Sequence, residues 1–223
     1  MLSEAIVREI VKTAHDLGRR VIAHVGEQKG FERALAGGVD EFAHMPCAEI
    51  KSEWLKAAAN TPDLTFVTTV DTLSSCVDVD KTKSPPVAMG IHSNTMQLAN
   101  LIEECEEHTP GNCAQIIYGS EVAHDNVPWG INGEELHMML YLTHGKGDIE
   151  FNDVVNVFRA ATSEAGEHLD IPGLHDLGKL TPGAPADIIA VRGNPFEKFK
   201  LLEYPDLVMS GGHIVVNKFS KHH

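Results

Sequence analysis

The sequence predicts an α/β fold in which a parallel sheet is covered by helices and followed by a small β element. Three features carry that expectation. A unit of helix, strand and loop recurs four times between residues 3 and 121, the first two of its strands each end in a histidine, and beyond residue 186 the pattern changes to short strands broken by Gly and Pro. Consecutive αβ units build parallel sheets, because each helix returns the chain to the end of the sheet where the next strand must start.

The first helix is set by Ile6, Val7, Ile10, Val11, Ala14 and Leu17 at helical spacing over residues 3–17, with Ser3 placed as N-cap and Gly18 as the stop. Residues 20–24 follow as a short buried strand ending in His24, and Gly26 with Gly30 opens a loop. The second round is a short helix over 31–36, a stop at Gly37 and Gly38, and a strand over 39–44 that ends in His44 before Pro46. A third runs from a helix over 49–59 into a strand over 64–70, and a fourth from a helix over 95–107 into a strand over 115–119. Residues 71–94 hold Asp78, Asp80, Lys81, Lys83, Pro85 and Pro86 with few periodic apolar positions, which predicts a long surface loop of the kind that often forms a lid. Two more helices are expected over 133–144 and 151–161, then short strands over 186–191 and 206–216.

The 223 residues suffice for one substantial core or a core with a small appendage. Acidic residues outnumber basic ones 32 to 18, the net charge is −14, and no basic run could neutralise phosphates, so nucleic acid is not an expected partner. The apolar runs fall far short of a bilayer span and residues 1–20 show helical amphipathicity in place of a signal-peptide core, which leads us to expect a soluble, cytoplasmic protein. Cys47, Cys76, Cys105 and Cys113 form no Cys-x-x-Cys pair and are expected to be reduced.

Thirteen histidines are many for this length, and imidazole is the commonest side-chain metal ligand at neutral pH. In parallel αβ sheets functional groups collect at the carboxyl ends of the strands, where His24 and His44 both stand. Two imidazoles on neighbouring strand ends could share one ion; each alone could equally be a strand-end histidine bonded to backbone.

The segment Val21-Ile-Ala-His24, followed by Gly30-Phe-Glu-Arg-Ala-Leu-Ala-Gly37-Gly38-Val-Asp-Glu-Phe-Ala-His44, resembles the strand-five and strand-six region of the amidohydrolase superfamily, particularly its imidazolonepropionase and prolidase-like branch. Ala160-Ala-Thr162-Ser-Glu-Ala-Gly and Leu177-Gly-Lys-Leu-Thr-Pro182-Gly183-Ala-Pro-Ala186-Asp187-Ile-Ile-Ala-Val resemble its closing segment. The resemblance implies a partial TIM-type barrel, strands five to eight, followed by part of a small β-sandwich, with the division at 1–165 and 166–223. It also implies metal-dependent hydrolysis of a C–N bond, amide or cyclic amide, in a small polar substrate, with His24 and His44 on a divalent metal, zinc being the expected ion.

Two departures stand out. Where the family has an Asp after strand eight that binds metal and moves the proton, this sequence has Glu121. The extra methylene displaces the carboxylate by about 1.5 Å, in a kind of site that tolerates ~0.5 Å, so Asp125, beside His124, is an alternative base. The family's His-x-His and its bridging Lys or Glu have no counterpart here, and a closed barrel takes about 250 residues. The expectation is therefore either one half of a split amidohydrolase or a truncated non-catalytic scaffold, with a homo-oligomer or companion chain covering the open barrel edges.

Overall fold

The structure, a computed structural model, describes residues 2–72, 89–122, 127, 129–145, 147–169 and 171–219. Helix α1 spans Glu4–Asp16 and is capped by Ser3, whose side chain accepts from the Ile6 amide. It leads into β1 (Ile22–Ala23), α2 (Gln28–Gly37), β2 (Glu41–Phe42), α3 (Ser52–Ala59), β3 (Thr65–Val67), α4 (Met89–His108) and β4 (Gln115–Ile117). The four strands form one parallel sheet in the order β1-β2-β3-β4. The α/β class and the sequential parallel topology agree with the sequence. The strands are shorter than expected, and α4 begins at Met89, inside the segment expected as loop. The rest of that loop, 73–88, lies outside the described residues.

Alternation of side chains along a strand gives this sheet two different faces. Phe42 and Phe66 occupy one row of the register and stack with centroids 4.9 Å apart, and Phe31 of α2 stacks on Phe42 at 4.7 Å. That face, with Val11, Leu55, Ile91 and Leu98 from the helices and Ile50 from the loop before α3, is the main core. The neighbouring row, Glu41, Thr65 and Gln115, is polar and in register across three strands.

Helices α5 (Gly133–Thr143) and α6 (Phe151–Ala160) build a second apolar cluster around Leu136, Met139 and Val157. Helix α7 (Ser163–Leu169) then brings His168 onto the polar row. Its Nε2 lies 2.5 Å from Glu41 Oε2, and its Nδ1 lies 3.0 Å from both Thr65 Oγ1 and an Arg20 guanidinium nitrogen. Arg20 can only donate, so Nδ1 accepts and the Nε2 hydrogen goes to Glu41.

The chain closes with β5 (Ile188–Ala190), β6 (Leu207–Ser210) and β7 (His213–Asn217), an antiparallel sheet in the order β5-β6-β7. The β6–β7 turn is made by Gly211 and Gly212 with φ of 54° and 81°, the left-handed pair that a two-residue hairpin turn demands. Among the described residues this closing β element is one sheet of three strands.

The cysteines differ from expectation. Cys105 and Cys113 are joined in a disulfide. They lie eight residues apart, and the chain doubles back beyond the end of α4 at His108, which sets their Cα atoms 6.0 Å apart, within the usual range for a bridge. No helix among the described residues is long and apolar enough to cross a membrane.

Candidate metal centre at the carboxyl rim of the sheet

Each strand of the parallel sheet hands a polar side chain to the same rim. His24 follows β1, His44 stands two residues past β2, Thr69 two past β3, and Glu121 four past β4. Because β1 pairs directly with β2, the two imidazoles meet, with centroids 4.6 Å apart and the rings edge to face at 79°. Glu121 closes the group from the far side, its Oε1 lying 3.9 Å from His44 Nε2.

The backbone beyond the strands is bent to achieve this. Thr69 and Glu121 have φ of 53° and 50°, a left-handed conformation that costs non-glycine residues on the order of 1–3 kcal/mol. It is held by long-range bonds: the Thr69 amide donates to the Gly119 carbonyl at 3.0 Å, and the Thr72 hydroxyl to the Ser120 carbonyl at 3.0 Å. Gly119 itself is required, because a Cβ there would run into Val67 of β3.

A fully buried carboxylate on α5 fixes the same segment. Glu135 accepts from the amides of Val70 at 2.9 Å and Asp71 at 2.7 Å, and the Asn132 side-chain amide donates to Asp71 Oδ2 at 2.9 Å. Burial pushes the Glu135 carboxyl above its ordinary range, with the hydrogen bonds it accepts pulling part of the way back.

The site's surroundings act on the His44 imidazole in opposing directions, with burial the strongest. Its side chain is 12% exposed, and burial lowers its pKa from 6.5; the Glu121 charge opposes that shift and His24 adds to it. His44 Nδ1 is bonded to Thr69 Oγ1 at 2.7 Å, so Nε2 is the nitrogen that looks into the rim. Glu121 Oε2 is buried and makes no hydrogen bond among the described residues.

Two imidazoles and a carboxylate are the donor types that bind zinc and related divalent ions, and the orphaned Glu121 oxygen is the kind of atom an ion would satisfy. The donors fit in chemistry; in number they fall short, since no group of three or more His, Cys, Asp or Glu is close enough for one ion among the described residues. Asp125 and His124 lie outside the described residues. His92, at the start of α4, has a buried Nε2 without a partner among the described residues.

His24, His44 and Glu121, the residues singled out in the sequence, come together at this rim, and Thr69 and Glu135, which the sequence did not single out, support it. For Thr69 a signal existed, since Thr68 and Thr69 follow the third strand just as the histidines follow the first two.

A profile of the amidohydrolase family matches residues 1–215. Among solved structures, an amidohydrolase aligns with a TM-score of 0.66 at 22% identity, over 98% of this chain and 50% of its own. A Xaa-Pro dipeptidase with bound methionine aligns at 0.66 and 23%, over 97% of this chain and 50% of its own. The ochratoxinase of A. niger aligns at 0.67 and 19%, over 99% of this chain and 47% of its own. These likenesses are of fold, and the chain spans about half the length of the structures it matches. No curated protein matches. The chain belongs to the amidohydrolase family.

Proposed function

We propose, from that membership, that the rim formed by His24, His44 and Glu121 is part of a metal-dependent hydrolase site acting on C–N bonds, amide or cyclic amide, of a small polar substrate. The convergence of the two imidazoles at 4.6 Å on adjacent strand ends is the observation that supports it most. His24 and His44 are the residues that would hold a divalent metal, zinc by donor type. Bound there, the ion supplies Lewis acidity for activating water and polarising a carbonyl. Glu121 takes the proton from the attacking water at its unpartnered oxygen, with Asp125 as the alternative base.

In this reading the four parallel strands are strands five to eight of a partial TIM-type barrel, and β5 to β7 part of a small β-sandwich, divided at 1–165 and 166–223. A second copy or a companion chain covers the open edges. Ile22 of β1 is 59% exposed, and Ile6 and Ile10 of α1, with Leu2 and Leu17 flanking the helix, are exposed as well. The Cys105–Cys113 disulfide favours an oxidising compartment over the cytoplasm.

Titration of the metal-free chain with Co²⁺, followed by its absorption bands, tests the site. One equivalent bound, with affinity at least tenfold lower in His24→Ala and in His44→Ala, is the expected result. No binding, or binding that both variants retain, would instead identify a non-catalytic scaffold.

A further inference from the structure

We infer that Thr69 is a positioning residue whose hydroxyl locks His44 in the tautomer with hydrogen on Nδ1, and so presents a bare Nε2 lone pair to the rim. The inference deepens the proposed metal site and rests on that reading for its purpose, though the tautomer itself does not depend on a metal.

A threonine hydroxyl has one hydrogen to give and two lone pairs to receive. Thr69 Oγ1 lies 2.7 Å from the Thr68 carbonyl oxygen, which can only accept, and 2.7 Å from His44 Nδ1. The hydroxyl hydrogen therefore goes to the carbonyl. Towards His44 the oxygen can then only accept, which requires a hydrogen on Nδ1. A neutral imidazole has a single N–H, so Nε2 is left as a lone pair.

Among the described residues the opposite tautomer has no hydrogen bond to hold it. A hydrogen on Nε2 would need an acceptor, and the Glu121 carboxylate oxygen that faces it, Oε1, is 3.9 Å away, beyond hydrogen-bond reach. It would also take the Thr69 hydrogen away from the Thr68 carbonyl. The left-handed φ of 53° at Thr69 acquires a purpose here. This conformation is unusual for a β-branched residue, and it is kept by the Thr69–Gly119 bond and by Glu135 gripping the next two amides. Partners of this kind behind a ligating histidine typically change metal affinity by about 10–100-fold.

The test is ¹⁵N NMR of the histidine-labelled, metal-free chain in mildly alkaline buffer. Wild-type His44 should show a protonated Nδ1 and an unprotonated Nε2. Thr69→Val, which keeps the branched shape and loses the hydroxyl, should give a mixed or reversed pattern and weaken Co²⁺ binding about tenfold or more; Thr69→Ser should restore both. A wild-type spectrum with hydrogen on Nε2 overturns the inference outright, even if Thr69→Val does not fold, and so does a tautomer that Thr69→Val leaves unchanged. If the tautomer behaves as expected but wild type binds no Co²⁺, the metal-site reading fails and the role of Thr69 stands. If Co²⁺ binds through both histidines while the tautomer ignores Thr69, the reverse holds.

Discussion

Glu135 is an acid in the protein interior because two backbone N–H groups there each need an acceptor, and only a carboxylate offers two oxygens side by side. Replacing it with an apolar residue of similar size, Glu135→Leu, strands both amides and should lower the unfolding free energy by roughly 1–3 kcal/mol, measured by urea denaturation. The pH dependence has a definite sign. Burial raises this carboxyl's pKa in the folded state, so the folded protein binds the proton more tightly than the unfolded chain. Stability from the group is complete below about pH 4.3 and is lost as pH rises through the folded value. The advantage of wild type over Glu135→Leu should therefore shrink as pH rises through that window, and a growing advantage would contradict the assignment. At this scale the sequence disclosed what lies along one strand. His24 and His44 were legible because each ends a strand in consecutive repeats, and Glu121 because it follows the fourth. Glu135 and Thr69 act across 65 and 25 residues of chain, and neither periodicity nor composition marks such pairs.

Among the elements, α7 shows how much a short helix can hold. It has seven residues, too few to show apolar periodicity, and no buried residue. Yet His168 places an imidazole that is 7% exposed against a Glu41 carboxylate that is 12% exposed, joining α7 to the polar face of the sheet. His168→Ala would leave the Glu41 carboxylate short of a donor and should cost about 2–3 kcal/mol. Amide hydrogen exchange in residues 163–169 should rise at the same time, and unchanged protection there would show that α7 is held by other contacts. The end of α4 carries a second prediction. Closing the loop between Cys105 and Cys113 restricts the unfolded chain, and for a loop of this size the chain-entropy relation gives about 2.5 kcal/mol. The double substitution Cys105→Ala, Cys113→Ala should lower the unfolding free energy by that order, and a thermal unfolding curve unchanged from wild type would contradict it. The strands ran shorter than their apolar patterns because the ladder stops where the site begins. The residues that follow β3 and β4 turn into left-handed backbone at Thr69 and Glu121, which takes them out of regular strand pairing.

Across the whole molecule, the polar row Glu41, Thr65 and Gln115 lies on the sheet face opposite the Phe42–Phe66 stack. The α/β class and the strand order were readable because four units repeat in sequence, whereas the disulfide and the fastening of α7 depend on distances that only the folded chain supplies. The exposed apolar side chains Ile6 and Ile10 of α1, and the place of β1 at the edge of the sheet among the described residues, predict association, since exposed apolar surface and unpaired strand edges tend to be covered. Ile6→Glu with Ile10→Glu should shift sedimentation equilibrium towards monomer while leaving the fold intact. A wild-type chain that is monomeric at all concentrations would remove that part of the account. The central claim, that His24 and His44 jointly hold a metal, is tested most directly by X-ray absorption at the zinc edge of the loaded chain. Two imidazole nitrogens at about 2.0–2.1 Å, falling to one in His24→Ala and in His44→Ala, is the result the structure predicts; a zinc environment without imidazole scattering, or one that neither substitution alters, would contradict it.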